Sequence, residues 1–226
     1  PGKISRRFRS SRGGPILMKK KQGEGLDTGT GHIDYAGKKM GMWFFLFTEI
    51  LFFGGMFLLY SIFRYKYAQD FHAGAAEENI VLGTINTAVL LTSSLTIALS
   101  IAAMKRGKKA SSCYLQLATV LMGAAFLVIK YFEWGAKISL GIYPNSPVLL
   151  TLGKGEILFF GLYYVMTGLH GLHVLVGVIV ISFMLYFTRR ETINQENYAR
   201  LENTGLYWHF VDIVWIYLYP LFYLIT

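Results

Sequence analysis

The sequence predicts an all-α, polytopic membrane protein with five transmembrane helices, a cytoplasmic N-terminus and a periplasmic C-terminus. Three observations carry this. The 226 residues are 54% hydrophobic and only 15% charged, against roughly 25% charged in a soluble domain. Five apolar runs reach the ~20 residues that crossing a bilayer requires. The 22 Lys and Arg alternate between dense and sparse along the segments that join those runs.

Residues 1–39 come first. They are basic and Gly-rich, with no apolar core of the kind a secretory signal carries, and are read as a solvated cytoplasmic tail, with contact to anionic lipid as the functional alternative. The five runs follow at about 40–63, 80–104, 114–131, 157–187 and 206–226, and together they form one bundle over 40–226. None alternates with the period of two that a barrel strand shows. The joining segments are short. That between the third and fourth runs holds Tyr143-Pro144-Asn145-Ser146-Pro147, two prolines that stop a helix. Pro220 removes a backbone donor from the fifth run, with a kink expected near Ile216.

Orientation comes from the basic residues. Ten precede the first run, four follow the second (Lys105, Arg106, Lys108, Lys109) and three follow the fourth (Arg189, Arg190, Arg200). The other side carries Arg64, Lys66, Lys137 and Lys154, and Lys130 lies inside or near the end of the third run. Loops rich in Lys and Arg stay in the cytoplasm. The net charge of +9 is thereby mainly topology, with the N-terminal arm as its remainder and no nucleic-acid partner implied.

Polar groups at membrane depth are costly and face protein or water. Glu49 lies mid-run among aromatic and aliphatic neighbours, where burial penalises its charge. It reads as a relay step, a lipid-headgroup partner or a hydrogen-bonded strut. Glu133 lies near the outer end of the third run. His170 and His173 are three apart in the fourth run, as are His209 and Asp212 in the fifth, so each pair shares a helical face. That spacing permits metal or haem ligation, but hydrogen bonding between helices is the commoner use. Asn86, Ser93 and Ser100 repeat every seven residues, a stripe suited to close helix packing. Glu156 at the start of the fourth run suits the helix dipole. There is no Walker loop, no CxxC and no haem-attachment motif, and Cys113 stands alone.

Taken together these segments resemble subunit III of the haem–copper terminal oxidases, the cytochrome c oxidase subunit III family, in its five-helix bacterial form. The fourth run reads TGLHGLHVLVG, against the family's TGxHGxHVxxG. The fifth reads WHFVDIVW, against WHFxDxVW. TEILFF in the first, NTAVLLTSSLT in the second and FEW in the third match in order. The resemblance implies an accessory, non-catalytic subunit in a bacterial cytoplasmic (inner) membrane. It would pack directly against oxidase subunit I, alongside other oxidase subunits and phospholipids, with a larger respiratory supercomplex as a further candidate partner. Haem and copper are expected in partner subunits and no cofactor in this chain. Glu49 aligns with a carboxyl-reactive membrane glutamate linked to proton uptake or lipid. Glu133, His170, His173, His209, Asp212 and Asn86 are read as interhelical struts, none as a catalytic or metal residue. Two alternatives stay open. One is subunit III of a quinol oxidase or a nitric-oxide-reductase-like complex. The other is an independent proton- or solute-conducting membrane protein.

Overall fold

A computed structural model describes residues 30–224; residues 1–29 of the basic arm lie outside the described residues. The described residues form six α-helices: α1 (Thr30–Lys66), α2 (Ala68–Ala76), α3 (Ile80–Lys105), α4 (Lys109–Ser139), α5 (Lys154–Arg189) and α6 (Ala199–Tyr219). No strand occurs among the described residues. A single 3-10 turn, Leu149–Thr151, precedes α5.

Local chemistry sets the helix ends. The Asn79 side chain accepts from Leu82 N at 3.1 Å and caps α3. α3, α4 and α5 all end in the same closing pattern. A residue with positive φ stands two places after the last helical one (Gly107, Gly141 and Glu191). The next N–H reaches back five residues: Lys108 to Ala103 O, Ile142 to Lys137 O, Thr192 to Phe187 O. α6 runs regularly to Tyr219 and then changes to π winding over Pro220–Leu224. The missing proline N–H removes the bond that would have continued the α-register. The kink expected near Ile216 is absent: the helix is regular there, and the change of winding begins at Pro220.

α1 (from Met40), α3, α4 and α5 are long and apolar enough to cross a membrane. α6 overlaps the fifth predicted run over 206–219 but begins earlier, carries Arg200, Glu202 and Asp212, and is not among these four. Two helical elements, α2 and the 3-10 turn, were not expected. α4 is longer than the run 114–131 because Lys130, Glu133 and Lys137 are buried and paired, so charge does not end the helix.

The centre is built by α5 and α6, where Tyr163, Met166, His170, Trp208 and Trp215 are at most 1% exposed. The outside is apolar instead: Trp43, Phe44 and Leu58 are exposed by 60% or more. Such an exterior suits lipid, not water. α1 lies at the rim, with 11% of its apolar window buried against 28% for α3, α4 and α5.

The two ends of the bundle differ. One end, which we call the basic end, gathers Lys105, Arg106, Lys108 and Lys109 with Arg189, Arg190 and Arg200. There Lys105 pairs with Glu202 at 2.6 Å and Lys109 with Glu191 at 2.9 Å. At the opposite end, Asp70 of α2 accepts from Gly155 N at 3.0 Å and so caps α5 from a neighbouring helix. A Cβ at Gly155 would lie 2.6 Å from Tyr67 Cβ and would also collide with the Asp70 carboxylate, so this close approach requires glycine.

Candidate functional site: polar residues inside the bundle

Glu49 of α1 meets His173 of α5, with His173 Nε2 3.2 Å from Glu49 Oε2. The other ring nitrogen, Nδ1, donates to Leu169 O at 2.7 Å. Both side chains are slightly exposed at the helix surface, 19% and 17%. Phe53 packs edge-on against the imidazole, and Tyr207 donates to His173 O at 3.0 Å.

A second polar group fills the half of the bundle away from the basic end. Glu133 accepts from Tyr163 Oη at 2.6 Å, from Tyr223 Oη, and from Lys130 Nζ at 3.1 and 3.3 Å. Lys130 also bonds the Tyr223 hydroxyl and lies 5.0–5.2 Å from the ring centroids of Tyr163, Trp215 and Tyr223. The ammonium therefore sits among a carboxylate, phenol oxygens and aromatic faces, the groups that stabilise a buried cation. Next to it, Lys137 Nζ lies 3.0 Å from Glu78 Oε1, at the α2–α3 corner. The contact is ionic, without hydrogen-bond geometry. Burial pushes the Glu78 carboxyl up to about 7, and the Lys137 ammonium opposes that only in part.

The remaining predicted residues separate. His209 Nδ1 lies 2.6 Å from Ser94 Oγ on α3. His170 is fully buried and stacks on Trp215, ring centroids 5.1 Å apart, with Phe126 edge-on to both. Its ring nitrogens, both Asn86 amide atoms and both Asp212 oxygens make no regular hydrogen bond, although Asp212 lies close to Ser94. Among the described residues no three His, Cys, Asp or Glu side chains gather at metal-binding distance. The seven-residue stripe lies in the interior: Asn86, Ser93 and Ser100 are all 0% exposed. Ser93 accepts from Trp208 Nε1 at 3.0 Å, and Ser100 bonds Ser112 Oγ at 3.0 Å. Trp208 lies between helices α4 and α5, where a Cβ at Gly123 or Gly177 would fall 2.8 or 2.6 Å from its ring.

Sequence reasoning missed Lys130 as a site residue, and also Glu78, Asp70, Tyr163 and Tyr223. The Lys130–Glu133 spacing of three was a usable signal; the tyrosines, 30 and 90 residues from Glu133, left none. A groove of about 470 Å³ runs between α1 and α6, lined by Trp43, Ile50, Phe57, His209, Ile213 and Tyr217 among others. Its wall is almost wholly apolar, the surface an acyl chain wets.

Comparison with known proteins adds a second line of evidence. The family model described as cytochrome c oxidase subunit III matches residues 24–226. The chain is 33% identical over 198 residues to the cytochrome c oxidase subunit 3 of Thermostichus vulcanus, covering 86% of this chain and 90% of that protein. It is 28% identical to a cytochrome bo(3) ubiquinol oxidase subunit 3 of Pseudomonas putida, covering 82% of this chain and 84% of that protein. It is also 29% identical to the haem–copper oxidase subunit I+III of Aeropyrum pernix, covering 83% of this chain and 22% of that longer protein.

Proposed function

The chain belongs to the cytochrome c oxidase subunit III family, and from that premise we propose that it is the accessory, non-catalytic subunit III of a respiratory haem–copper oxidase. It stabilises subunit I and supports proton uptake during oxygen reduction, with haem and copper held by partner subunits. The observation that carries this reading is where the motif residues point. His173 faces Glu49, His209 faces Ser94 and His170 stacks on Trp215. Each of these three is engaged by a residue of another helix, and no two of them face one another as haem ligands would. The role is the same whether cytochrome c or a quinol feeds the complex.

α6 is the fifth span in this reading. The basic end then lies in the cytoplasm of a bacterial inner membrane, where loops rich in Lys and Arg remain. The Glu133–Lys130 group lies toward the periplasm. Subunit I is the direct partner. The rim position of α1 supports this, since an apolar helix with so little of its surface buried has room for a protein neighbour. The existence of a relative named as a I+III fusion agrees. Phospholipid acyl chains fill the α1–α6 groove.

Two measurements test the proposal. The isolated, folded chain should show no Soret absorbance, and from the membrane it should co-purify with a haem-containing subunit. A Soret band from the pure chain refutes it. Glu49→Gln in the whole complex should slow turnover or shorten its lifetime. Unchanged activity and lipid content would make Glu49 a strut.

A further inference from the structure

The geometry points to one shared proton: Glu49 and His173 form a net-neutral unit that holds a single hydrogen between Oε2 and Nε2, and His173 is the residue that positions it. The assignment deepens the reading of Glu49 given above, but its chemistry stands on the contacts alone.

The argument starts at the far side of the imidazole. His173 Nδ1 lies 2.7 Å from the Leu169 carbonyl oxygen. A carbonyl only accepts, so Nδ1 carries a hydrogen. The tautomer is thereby set by the helix itself, four residues back. Nε2 is left to face Glu49 Oε2 at 3.2 Å. Two lone pairs at that distance repel, and one hydrogen between them makes a bond. That hydrogen sits either on oxygen, as an acid donating to a neutral imidazole, or on nitrogen, as an imidazolium donating to a carboxylate. Both arrangements sum to zero charge.

Removing the hydrogen leaves a bare carboxylate, and adding another leaves a bare imidazolium. Each would be an unpaired charge beside Phe53 on the apolar flank of the bundle, which is costly. Among the described residues, neither side chain makes an ion pair with a third group. On α1, residues 42–56 contain no other ionisable side chain. On α6, the Tyr207 hydroxyl is spent on the His173 carbonyl. On α5, His170 is turned to Trp215.

The test uses the purified whole oxidase in lipid. Isotope-edited infrared spectra give the Glu49 carboxyl band, identified by its loss in Glu49→Gln. Nitrogen-15 spectra give the His173 ring, identified by its loss in His173→Gln. The expected result is an acid with a neutral imidazole or a carboxylate with an imidazolium, so that the two signals together account for one hydrogen. His173→Phe should shift the carboxyl band, and His173→Gln, which keeps a polar partner and protects the fold, should shift it differently. A carboxylate beside a neutral imidazole in the unmodified complex overturns the proposal. So does a carboxyl band that neither substitution moves. Turnover is read separately: coupled signals with normal turnover in Glu49→Gln would remove the proton-uptake role and leave the shared proton standing.

Discussion

Replacing Lys130 by Met should be among the most damaging single changes in this chain, and adding Glu133→Gln should repair most of the damage. Lys130 and Glu133 are 8% and 4% exposed. Their ion pair, at 3.1 Å, is therefore one from which water is largely excluded. Removing one member of such a pair costs about 3–5 kcal/mol, because the partner is left as an uncompensated charge. Lys130→Met belongs at the lower end, about 3 kcal/mol, since Tyr163 and Tyr223 still donate to the carboxylate. Methionine also fills the ring-lined space that the ammonium leaves. In the double variant the amide oxygen introduced at position 133 keeps both phenol bonds and no charge remains. Neutral replacement of a buried pair is often without penalty, so the residual loss should be about 1 kcal/mol, for the amide nitrogen left without a partner. The second change thus recovers about 2 kcal/mol of what the first loses, whereas Glu133→Gln alone leaves the ammonium uncompensated and is itself destabilising. Unfolding in mixed micelles, followed by helicity, measures all three variants. A Lys130→Met loss below about 1 kcal/mol would show that the pair carries little of the fold. A double variant no better than Lys130→Met alone would refute charge compensation as the reason.

Three further outcomes follow from other contacts. Glu78 is raised from 4.5 to about 7 by burial, so the folded chain binds a proton that the unfolded chain has lost. Its contribution is full below about 4.5 and fades as pH rises through about 7; Glu78→Gln should flatten that part of the stability–pH curve, and an unchanged slope would contradict the assignment. Gly177→Val should destabilise by about 1–3 kcal/mol through overpacking, since even a Cβ there lies 2.6 Å from the Trp208 ring; a neutral result in the same unfolding assay would mean the α5–α6 contact can spread. Thr87→Val removes the acceptor that Trp215 Nε1 reaches at 3.0 Å and should cost about 1–3 kcal/mol for the buried donor left alone, visible as a change in tryptophan fluorescence as well as in stability.

Much of the bundle was legible because helix length and apolar content are properties of contiguous sequence. The runs near α1, α3, α5 and α6 and the buried face of Asn86, Ser93 and Ser100 are of this kind. What failed was anything set by a distant partner. Lys130 stood in the charge count as a stray residue, yet its place depends on Tyr163, Trp215 and Tyr223, three positions on other elements. The predicted run 114–131 is shorter than α4 because unpaired charge ends a span, whereas paired charge does not. The two histidines of α5 show the same limit. Spacing of three placed them on one face, but the roughly 60° between them around a 3.6-residue turn is enough to separate their surroundings. One is buried against Trp215 and the other turns to Glu49. A motif thus announced which residues matter without saying what each one touches.

The weak seating of α1 bears on how any Glu49 phenotype is to be read. Aromatic contacts hold this helix: Phe53 on His173 and Phe210, Phe57 on Tyr217, Phe45 on Tyr207. Its described side chains reach other helical elements by hydrogen bond at two heights, Glu49 to His173 and Tyr60 to the Leu221 carbonyl at 2.5 Å. Cutting either bond loosens α1, so slower turnover in Glu49→Gln has a mechanical explanation as well as a protonic one. Tyr60→Phe separates them. It keeps the ring against Phe71 and Phe222, removes a bond worth about 1 kcal/mol, and leaves the Glu49 carboxyl in place. If Glu49 acts through its proton, Tyr60→Phe lowers the stability of the subunit while the complex turns over at the unmodified rate, and Glu49→Gln slows it. Equal slowing in both variants would assign the effect to the fit of α1 against α5 and α6, and the carboxyl group would keep only its role as a tie.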